Sequence, residues 1–247
     1  MTPYPWQESW DRQQESYLPD REERFAAMLD TVDAVADGQP KRILDLAGGT
    51  GSISLRALRR FRDVEVTLLD LDPVLLTIAR ASLAGRATIA TANLGTPDWV
   101  AALPHRDFDA VLTATALHWL QPDRLAALYA EIRTVLRPAG VFVNADHMPE
   151  GNLPELTERL SARTEARRQA RHAAGVMLSW RQWWDHVAAD ATLGPLVRER
   201  KRLFGELHVT DWNPPVSWHL DALRTAGFRE TGLVWRGTLD AAVAALR

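Results

Sequence analysis

The sequence predicts an α/β fold built on a doubly wound, mostly parallel sheet. Short apolar strands alternate with helical patterns between residues 41 and 147. A glycine-rich turn, Ala47-Gly48-Gly49-Thr50-Gly51, joins the first of these strands to a helix, as at the start of nucleotide-binding units. The next strand ends on Asp70, one strand–helix–strand unit beyond Asp45. Ligands of such sheets bind beyond the carboxyl ends of the strands, so that rim is the predicted site.

Composition limits the function classes. The 247 residues carry a net charge of −3, with 46% hydrophobic and 25% charged residues, as in a soluble globular protein. This slightly negative net charge does not attract the chain to nucleic acid or to an anionic membrane. Cysteine is absent, which excludes disulfides, thiolate zinc sites and a cysteine nucleophile. There is no signal-peptide pattern and no apolar run of about 20 residues, so we expect a cytoplasmic protein without membrane partners.

The stretch from Lys41 to Leu55, KRILDLAGGTGSISL, resembles motif I of the Rossmann-like (class I) S-adenosylmethionine-dependent methyltransferases. That motif is an acid, one residue and Gly-x-Gly-x-Gly. Asp45 and the last two glycines fit, and Ala47 replaces the first glycine, which is tolerated if its dihedral angles are ordinary. A nicotinamide-type Gly-x-Gly-x-x-Gly motif would place Ser54 at its last glycine, a weaker match that leaves this alternative open.

The second and third strands supply further predicted contacts. Asp70 is at the place where an acid accepts hydrogen bonds from ribose hydroxyls. Asp72 precedes Pro73 and is expected to cap a helix rather than to bind a ligand. The third strand, Ala87 to Ala92, leads to Asn93, where the family often has an acid for the adenine amino group. The amide oxygen of Asn93 can accept the same hydrogen bond. The alternative is that Asn93 is only a turn residue.

The ends of strands four and five carry the candidate catalytic groups. Strand four ends near Thr113 and leads into the segment ALHWL (116–120), which resembles the family segment that faces the methyl group. LRPAGVFV resembles the family's lead into strand five, which ends at His147. Histidine titrates near neutral pH, so His118 and His147 are candidate general bases, with a core or surface role as the alternative.

Four segments are predicted: a leader that folds over the cofactor as a lid (1–40), the cofactor-binding α/β core (41–147), a helical insertion forming a substrate cap (148–214), and a helix and strand pair that complete a seven-stranded sheet (215–247). The insertion has an arginine stripe from Arg159 to Arg171, expected to be a solvated face. Its indoles suggest a wall for an apolar, aromatic or cationic substrate, or else a buried packing surface.

The expected cofactor is S-adenosylmethionine, with S-adenosylhomocysteine as product. The resemblance implies a methyltransferase acting on an oxygen, nitrogen or carbon nucleophile of a small molecule, as monomer or homodimer, without metal or nucleic acid. The alternatives are a nicotinamide-dependent oxidoreductase and a non-catalytic cofactor-binding protein. The residues expected to bind the cofactor are Tyr17, Arg21, Asp45, Ala47, Gly48, Gly49, Gly51, Asp70, Leu71, Asn93, Leu94 and Thr113, and those expected to line the substrate are Trp119, Trp180, Trp183 and Trp184.

Overall fold

The structure is a computed structural model that describes residues 5–18, 20–205 and 212–247. The strands are β1 (Arg42–Leu46), β2 (Glu65–Asp70), β3 (Thr88–Thr91), β4 (Phe108–Ala114), β5 (Leu136–His147), β6 (Glu230–Arg236) and β7 (Asp240–Leu246). The α-helices are α1 (Trp6–Gln14), α2 (Arg21–Val35), α3 (Ser52–Arg60), α4 (Pro73–Leu83), α5 (Pro122–Val135), α6 (Pro154–Ala173), α7 (Trp180–Ala189), α8 (Gly194–Phe204) and α9 (Val216–Thr225). Within these described ranges, the helices lack any apolar stretch long enough to cross a bilayer.

The strands form one seven-stranded sheet in the order β3-β2-β1-β4-β5-β7-β6. β1 to β5 are parallel to their neighbours, whereas β7 runs antiparallel to both β5 and β6. The predicted seven-stranded, mostly parallel α/β sheet is therefore confirmed. The order reverses between β1 and β4, and the carboxyl ends of both strands meet at the crevice where ligands of such sheets bind.

The two faces of the sheet are buried under different helices. On one face, strand residues such as Val111 and Phe142 pack with Tyr129 of α5 and Leu223 of α9. On the other face, residues of α2 and α3 cover the apolar side chains of the alternate register, including Ile43. Because successive strand residues point to opposite faces, the central strands are apolar at nearly every position.

The helix that follows β2 begins as the sequence predicts. Asp72 accepts hydrogen bonds from the backbone N–H groups of Val74 and Leu75, at 2.9 and 3.3 Å. Its other carboxylate oxygen is 2.5 Å from Nε of Arg200 in α8. Asp72 therefore caps α4 and ties the insertion to the core.

The insertion joins the leader through aromatic side chains. Trp183 of α7 is fully buried and its Nε1 donates to Oγ of Ser9 in α1 at 3.1 Å. Its ring centroid lies 5.9 Å from that of Trp6 and 5.0 Å from that of Trp10. The same cluster includes Val74 of α4, so leader, insertion and core share one small apolar core.

Candidate active site

The glycine turn after β1 is held against the end of β2. The backbone N–H of Gly49 donates to Oδ2 of Asp70 at 2.8 Å. Gly49 has φ +56° and Gly51 has φ +86°, a left-handed backbone that favours glycine. Ala47 also has a positive φ, of 53°. The condition under which alanine is tolerated here, ordinary dihedral angles, is therefore not met, because this turn needs left-handed backbone even where a Cβ makes it costly, by about 1–2 kcal/mol.

Asp45 lies beneath that turn and is completely buried. Its Oδ2 accepts hydrogen bonds from the backbone N–H of Ser54 at 2.9 Å and from its Oγ at 2.6 Å. Its Oδ1 has no hydrogen-bond partner among the described residues. A Cβ on Gly48 would stand 2.6–2.9 Å from this carboxyl group, so only glycine allows so close an approach. Burial raises the pKa of Asp45 to about 6, and the negative charge of Asp70 also raises it. The hydrogen bonds from Ser54 oppose this shift.

Asp70 organises the rim at the end of β2. Besides Gly49, the backbone N–H groups of Leu71 and Asp72 donate to it at 2.7 and 2.8 Å. Burial raises the pKa of Asp70, although these backbone bonds oppose the shift. Three donors leave one acceptor position of the carboxylate for a ligand. Asp70 is partly buried and not enclosed, so a ligand can reach that position.

Asp70→Ala is expected to weaken binding of S-adenosylmethionine at least tenfold, because a charge-assisted hydrogen bond is lost and the glycine turn loses its anchor. Calorimetric titration measures the effect. The matched control is Glu65→Ala, since Glu65 lies at the opposite end of β2 and is exposed. Unchanged affinity in Asp70→Ala would remove this carboxylate from the site.

Two of the predicted contacts lie along the rim at β3. Asn93 is exposed, and its Oδ1 accepts the backbone N–H of Gly95 at 2.8 Å, as in a turn. The carbonyl of Leu94 accepts from Nε of Arg124 at 2.7 Å. The Asn93 oxygen keeps one lone pair for a ligand, so the geometry leaves both alternatives for this residue in place.

Thr113 lies in β4, inside the sheet. Its side chain is fully buried, and its Oγ1 has no hydrogen-bond partner among the described residues. It pairs in register with Asn144 of β5, whose Nδ2 is 3.4 Å from the hydroxyl of Tyr129. That hydroxyl lies 2.6 Å from Nδ1 of His219, whose pKa burial lowers to about 4. These four side chains form a row of buried polar groups beneath the site.

The two candidate bases lie side by side, with ring centroids 5.6 Å apart. Nδ1 of His118 is 2.8 Å from Oδ1 of Asp146, and the backbone N–H of His118 is 3.3 Å from Oδ2. Burial would raise the pKa of Asp146, but its interactions with the imidazoles of His118 and His147 hold it below its ordinary value. Asp146 therefore fixes the orientation of the His118 ring and directs Nε2 away from the carboxylate.

His147 has its own carboxylate and a buried arginine behind it. Its Nδ1 lies 2.5 Å from Oδ1 of Asp240, which faces it across the antiparallel pair of β5 and β7. Oδ2 of Asp240 lies 3.0 Å from Nη2 of Arg24 in α2. Burial by itself would lower the pKa of His147. The hydrogen bond to Asp240 and the charge of that carboxylate raise it by more, so the pKa lies above its ordinary value. The sequence analysis did not identify either Asp240 or Arg24.

The leader reaches the start of α3 through ionic contacts. Nη1 of Arg21 lies 2.7 Å from Oδ1 of Asp11, which also accepts the hydroxyl of Ser52 at 2.6 Å. Arg21 is buried, and its charge acts on Asp45. Tyr17 faces the insertion instead: its hydroxyl accepts the backbone N–H of Trp180 at 2.9 Å. The structure brings Arg21 to the glycine turn and places Tyr17 at the leader–insertion contact.

The predicted substrate wall divides into three kinds of tryptophan. Trp119 follows His118 and is 47% exposed, with the two ring centroids 5.2 Å apart. Trp180 is 38% exposed, and Trp184 is half-buried with its ring 4.3 Å from the guanidinium carbon of Arg200. Trp183 has no exposed surface in this structure. Of the four, Trp119 lies beside a candidate base.

Trp183→Ala is expected to destabilise the protein by about 3–5 kcal/mol, because it removes a fully buried indole from the contact between leader and insertion. Urea denaturation measures the free energy of unfolding. Trp180→Ala is the matched control: it truncates an indole that is 38% exposed in the same helix and should cost much less. Equal effects in the two variants would contradict this assignment.

The arrangement around the glycine turn fits the cofactor that the resemblance implies. Oδ1 of Asp45 is a buried acceptor without a partner among the described residues, which suits an ammonium group such as that of the methionyl part. The free acceptor position of Asp70 suits a ribose hydroxyl. Of the residues described, no group of three or more His, Cys, Asp or Glu is arranged to hold a metal ion.

Comparison with known proteins also indicates a methyltransferase domain. A family profile described as a methyltransferase domain matches residues 43–140. An uncharacterized methyltransferase of Mycobacterium tuberculosis is 33% identical over 132 residues, which cover 53% of this chain and 46% of that protein. A fatty-acid O-methyltransferase of Mycolicibacterium smegmatis is 32% identical over 130 residues, covering 52% of this chain and 45% of that one.

A solved structure extends the likeness to the whole fold. Human N-acetylserotonin methyltransferase in complex with S-adenosylmethionine superposes with a TM-score of 0.55 at 14% identity, covering 97% of this chain and 56% of that one. This chain spans about half the length of the curated relatives named above. The profile match, the glycine turn after β1 and the sheet order agree that the α/β core of this chain, at residues 43–140, is a methyltransferase domain of the Rossmann-like (class I) type.

Proposed function

We propose that this protein is a small-molecule O-methyltransferase that uses S-adenosylmethionine, with His118 as its general base. The observation that carries the proposal is the His118–Asp146 pair at the end of β4, on the rim that also holds the glycine turn. His118 is partly buried and Asp146 almost fully buried, with side-chain exposures of 10% and 3%. A base held this firmly next to the cofactor rim suits an acceptor that arrives protonated.

In this proposal, the residues predicted to bind the cofactor have the following roles. Asp45 takes the ammonium group, Asp70 a ribose hydroxyl and Asn93 the adenine amino group. Gly48, Gly49 and Gly51, with Ala47, let the backbone lie close to the ligand. Arg21 closes the leader over this end of the rim. Tyr17 holds the leader to the insertion and, in this proposal, contacts the cofactor only through that closure.

The chemistry follows from the protein's own groups. When bound, S-adenosylmethionine supplies an electrophilic methyl group on its sulfonium. Nδ1–H of His118 donates to Asp146, so Nε2 carries the lone pair that accepts the proton of the acceptor hydroxyl. Asp146 keeps that tautomer and stabilises the imidazolium that forms. Fixing the acceptor oxygen in line with the methyl group supplies several kcal/mol more.

An oxygen acceptor is favoured over nitrogen or carbon for two reasons. A hydroxyl needs a base to become a good nucleophile, and the site has an oriented imidazole. The fatty-acid O-methyltransferase that resembles this chain is, by its name, an oxygen methyltransferase. Trp119, exposed beside His118, provides an aromatic surface for the acceptor.

We place the protein in the cytoplasm, with no nucleic acid or membrane partner, as monomer or homodimer.

The test is calorimetric titration with S-adenosylmethionine, S-adenosylhomocysteine and reduced nicotinamide cofactor, followed by a panel of phenols, alcohols, carboxylic acids and amines assayed for methyl transfer. Micromolar binding of both sulfur nucleotides and turnover of hydroxylated compounds would support the proposal. Binding without turnover of any compound would favour the non-catalytic alternative. Binding of the nicotinamide cofactor alone would favour the oxidoreductase.

A further inference from the structure

The rim contains a second polar centre that the proposed reaction does not use. It consists of Arg24, Asp240 and His147, and it lies next to the His118–Asp146 pair. Arg24 is 1% exposed, although arginine is almost never buried without full pairing. A buried guanidinium here indicates a role that offsets the cost of its desolvation.

The hydrogen bonds of Arg24 are incomplete within the described part of the chain. Its Nη2 lies 3.0 Å from Oδ2 of Asp240, an ion pair that lacks the alignment of a hydrogen bond. Nε, Nη1 and Nη2 therefore donate to no described residue, and all three are buried. The guanidinium carbon lies 5.0 Å from the ring of Trp235, which covers one side. A planar fork of unpaired N–H donors matches the geometry of a carboxylate.

His147 provides the approach to this centre. Its side chain is 39% exposed, whereas Arg24 lies behind it. Asp240 holds the imidazole by Nδ1 and favours its protonated form, in which Nε2–H is the donor left for a ligand. Asp240 bridges the two groups, because its Oδ1 lies 2.5 Å from Nδ1 of His147 and its Oδ2 lies 3.0 Å from Nη2 of Arg24. Both groups are donors, and the two carboxylates that the described residues place beside them, Asp240 and Asp146, are already engaged.

Resting on the proposed function, we propose that Arg24 and His147 form a carboxylate-recognition site, and that the acceptor is a hydroxy acid. Its carboxylate binds to the Arg24–His147 side while its hydroxyl meets Nε2 of His118. The imidazole centroids are 5.6 Å apart, so the two functional groups of the acceptor are separated by only a few bonds. The carboxylate anchors the molecule and is not itself methylated.

The experiment uses hydroxybenzoates as probes, because they combine the two groups on an aromatic ring that suits Trp119. The ortho, meta and para acids, and the corresponding neutral hydroxybenzamides, are titrated into the full-length protein with and without saturating S-adenosylhomocysteine. Wild-type protein is expected to bind at least one acid tenfold or more tightly than its amide. Arg24→Gln is expected to lose that preference while its affinity for the amide and for S-adenosylhomocysteine stays unchanged.

The matched control is Arg137→Gln, which removes an arginine paired with Asp109 at the opposite end of β5 and should retain the preference for the acid. If Arg24→Gln does not fold, Arg24→Lys replaces it: the charge stays but the fork is lost, and an intermediate preference is expected. Equal binding of acid and amide, no binding of any acid at millimolar concentration, or a preference that survives in Arg24→Gln would overturn the proposal. Failure of the proposed function shows separately, as absence of S-adenosylhomocysteine binding.

Discussion

His118→Gln is expected to lower turnover about 10²–10⁴-fold, the usual contribution of a positioned general base. The affinity for S-adenosylhomocysteine should not change, because His118 bonds to Asp146 and not to the glycine turn. The loss should diminish as pH rises toward the pKa of the acceptor hydroxyl, since an acceptor that ionises in solution no longer needs the base. The measurement is the pH profile of methyl transfer to the best acceptor in the panel.

Two further variants separate catalysis from stability. Asp146→Asn keeps the shape of the side chain but can donate to Nδ1 of His118, which favours the tautomer with no lone pair on Nε2. It should reduce kcat with little change in KM. His105→Gln is the control, because His105 is an exposed imidazole that lies outside the site, near Glu65. A His118→Gln variant that retains wild-type turnover at neutral pH would remove the general base from the mechanism.

The fold was predictable because its determinants are local in sequence. The alternation of strands and helices specified the parallel part of the sheet, and the strand pair predicted within residues 215–247 completes it. The glycine turn and Asp70 were found for the same reason: each ends a strand, and the ends of parallel strands meet on one rim. The cap at Asp72 was readable from the proline that follows it.

The partners of the two histidines were not predictable in the same way. Asp146 and His118 lie 28 residues apart on neighbouring strand ends, and only the packed sheet brings them together. Asp240 meets His147 only because β7 is antiparallel to β5 in one particular register. Register in a closing strand depends on the packed sheet, so the sequence offers no local signal for it.

Composition was similarly unable to separate a substrate wall from a packing core. Six of the ten tryptophans lie in the leader or the insertion, and both interpretations agree with that bias. Burial distinguishes the two interpretations: Trp183 of α7 is enclosed by residues of α1, α4 and α8, whereas Trp119 is exposed beside His118. Ala47 shows a different limit, because its left-handed backbone is set by the whole turn and not by its own preference.

Asp45→Asn is expected to weaken binding of S-adenosylmethionine at least tenfold and, at the same time, to stabilise the cofactor-free protein. The binding loss follows from removing the charge that meets the ammonium group. The gain in stability follows from the raised pKa of about 6, because an ionised carboxylate in this buried position destabilises the fold by about 3 kcal/mol above that pH. The asparagine oxygen still accepts both bonds from Ser54, while its buried NH₂ group offsets part of the gain.

The sign of the pH dependence makes this prediction specific. The folded-state pKa of Asp45 lies above the unfolded value, so the wild-type protein loses this stability as pH rises from about 4 to about 6. Urea denaturation should therefore show the advantage of Asp45→Asn fully at pH 8, reduced by about half at pH 5 and absent near pH 4.

The matched control for Asp45→Asn is a substitution that we expect to change stability in the opposite direction. Asp109, at the other end of the sheet, accepts from the backbone N–H groups of Lys41 and Arg42 and from Arg137. Burial would raise the pKa of Asp109, but these bonds lower it overall, so Asp109→Asn should destabilise the protein without affecting the cofactor. If Asp45→Asn instead destabilised the protein at pH 8 and bound the cofactor normally, Asp45 would be a structural residue. If it behaves as expected, the buried charge is kept at the expense of stability because the cofactor needs it.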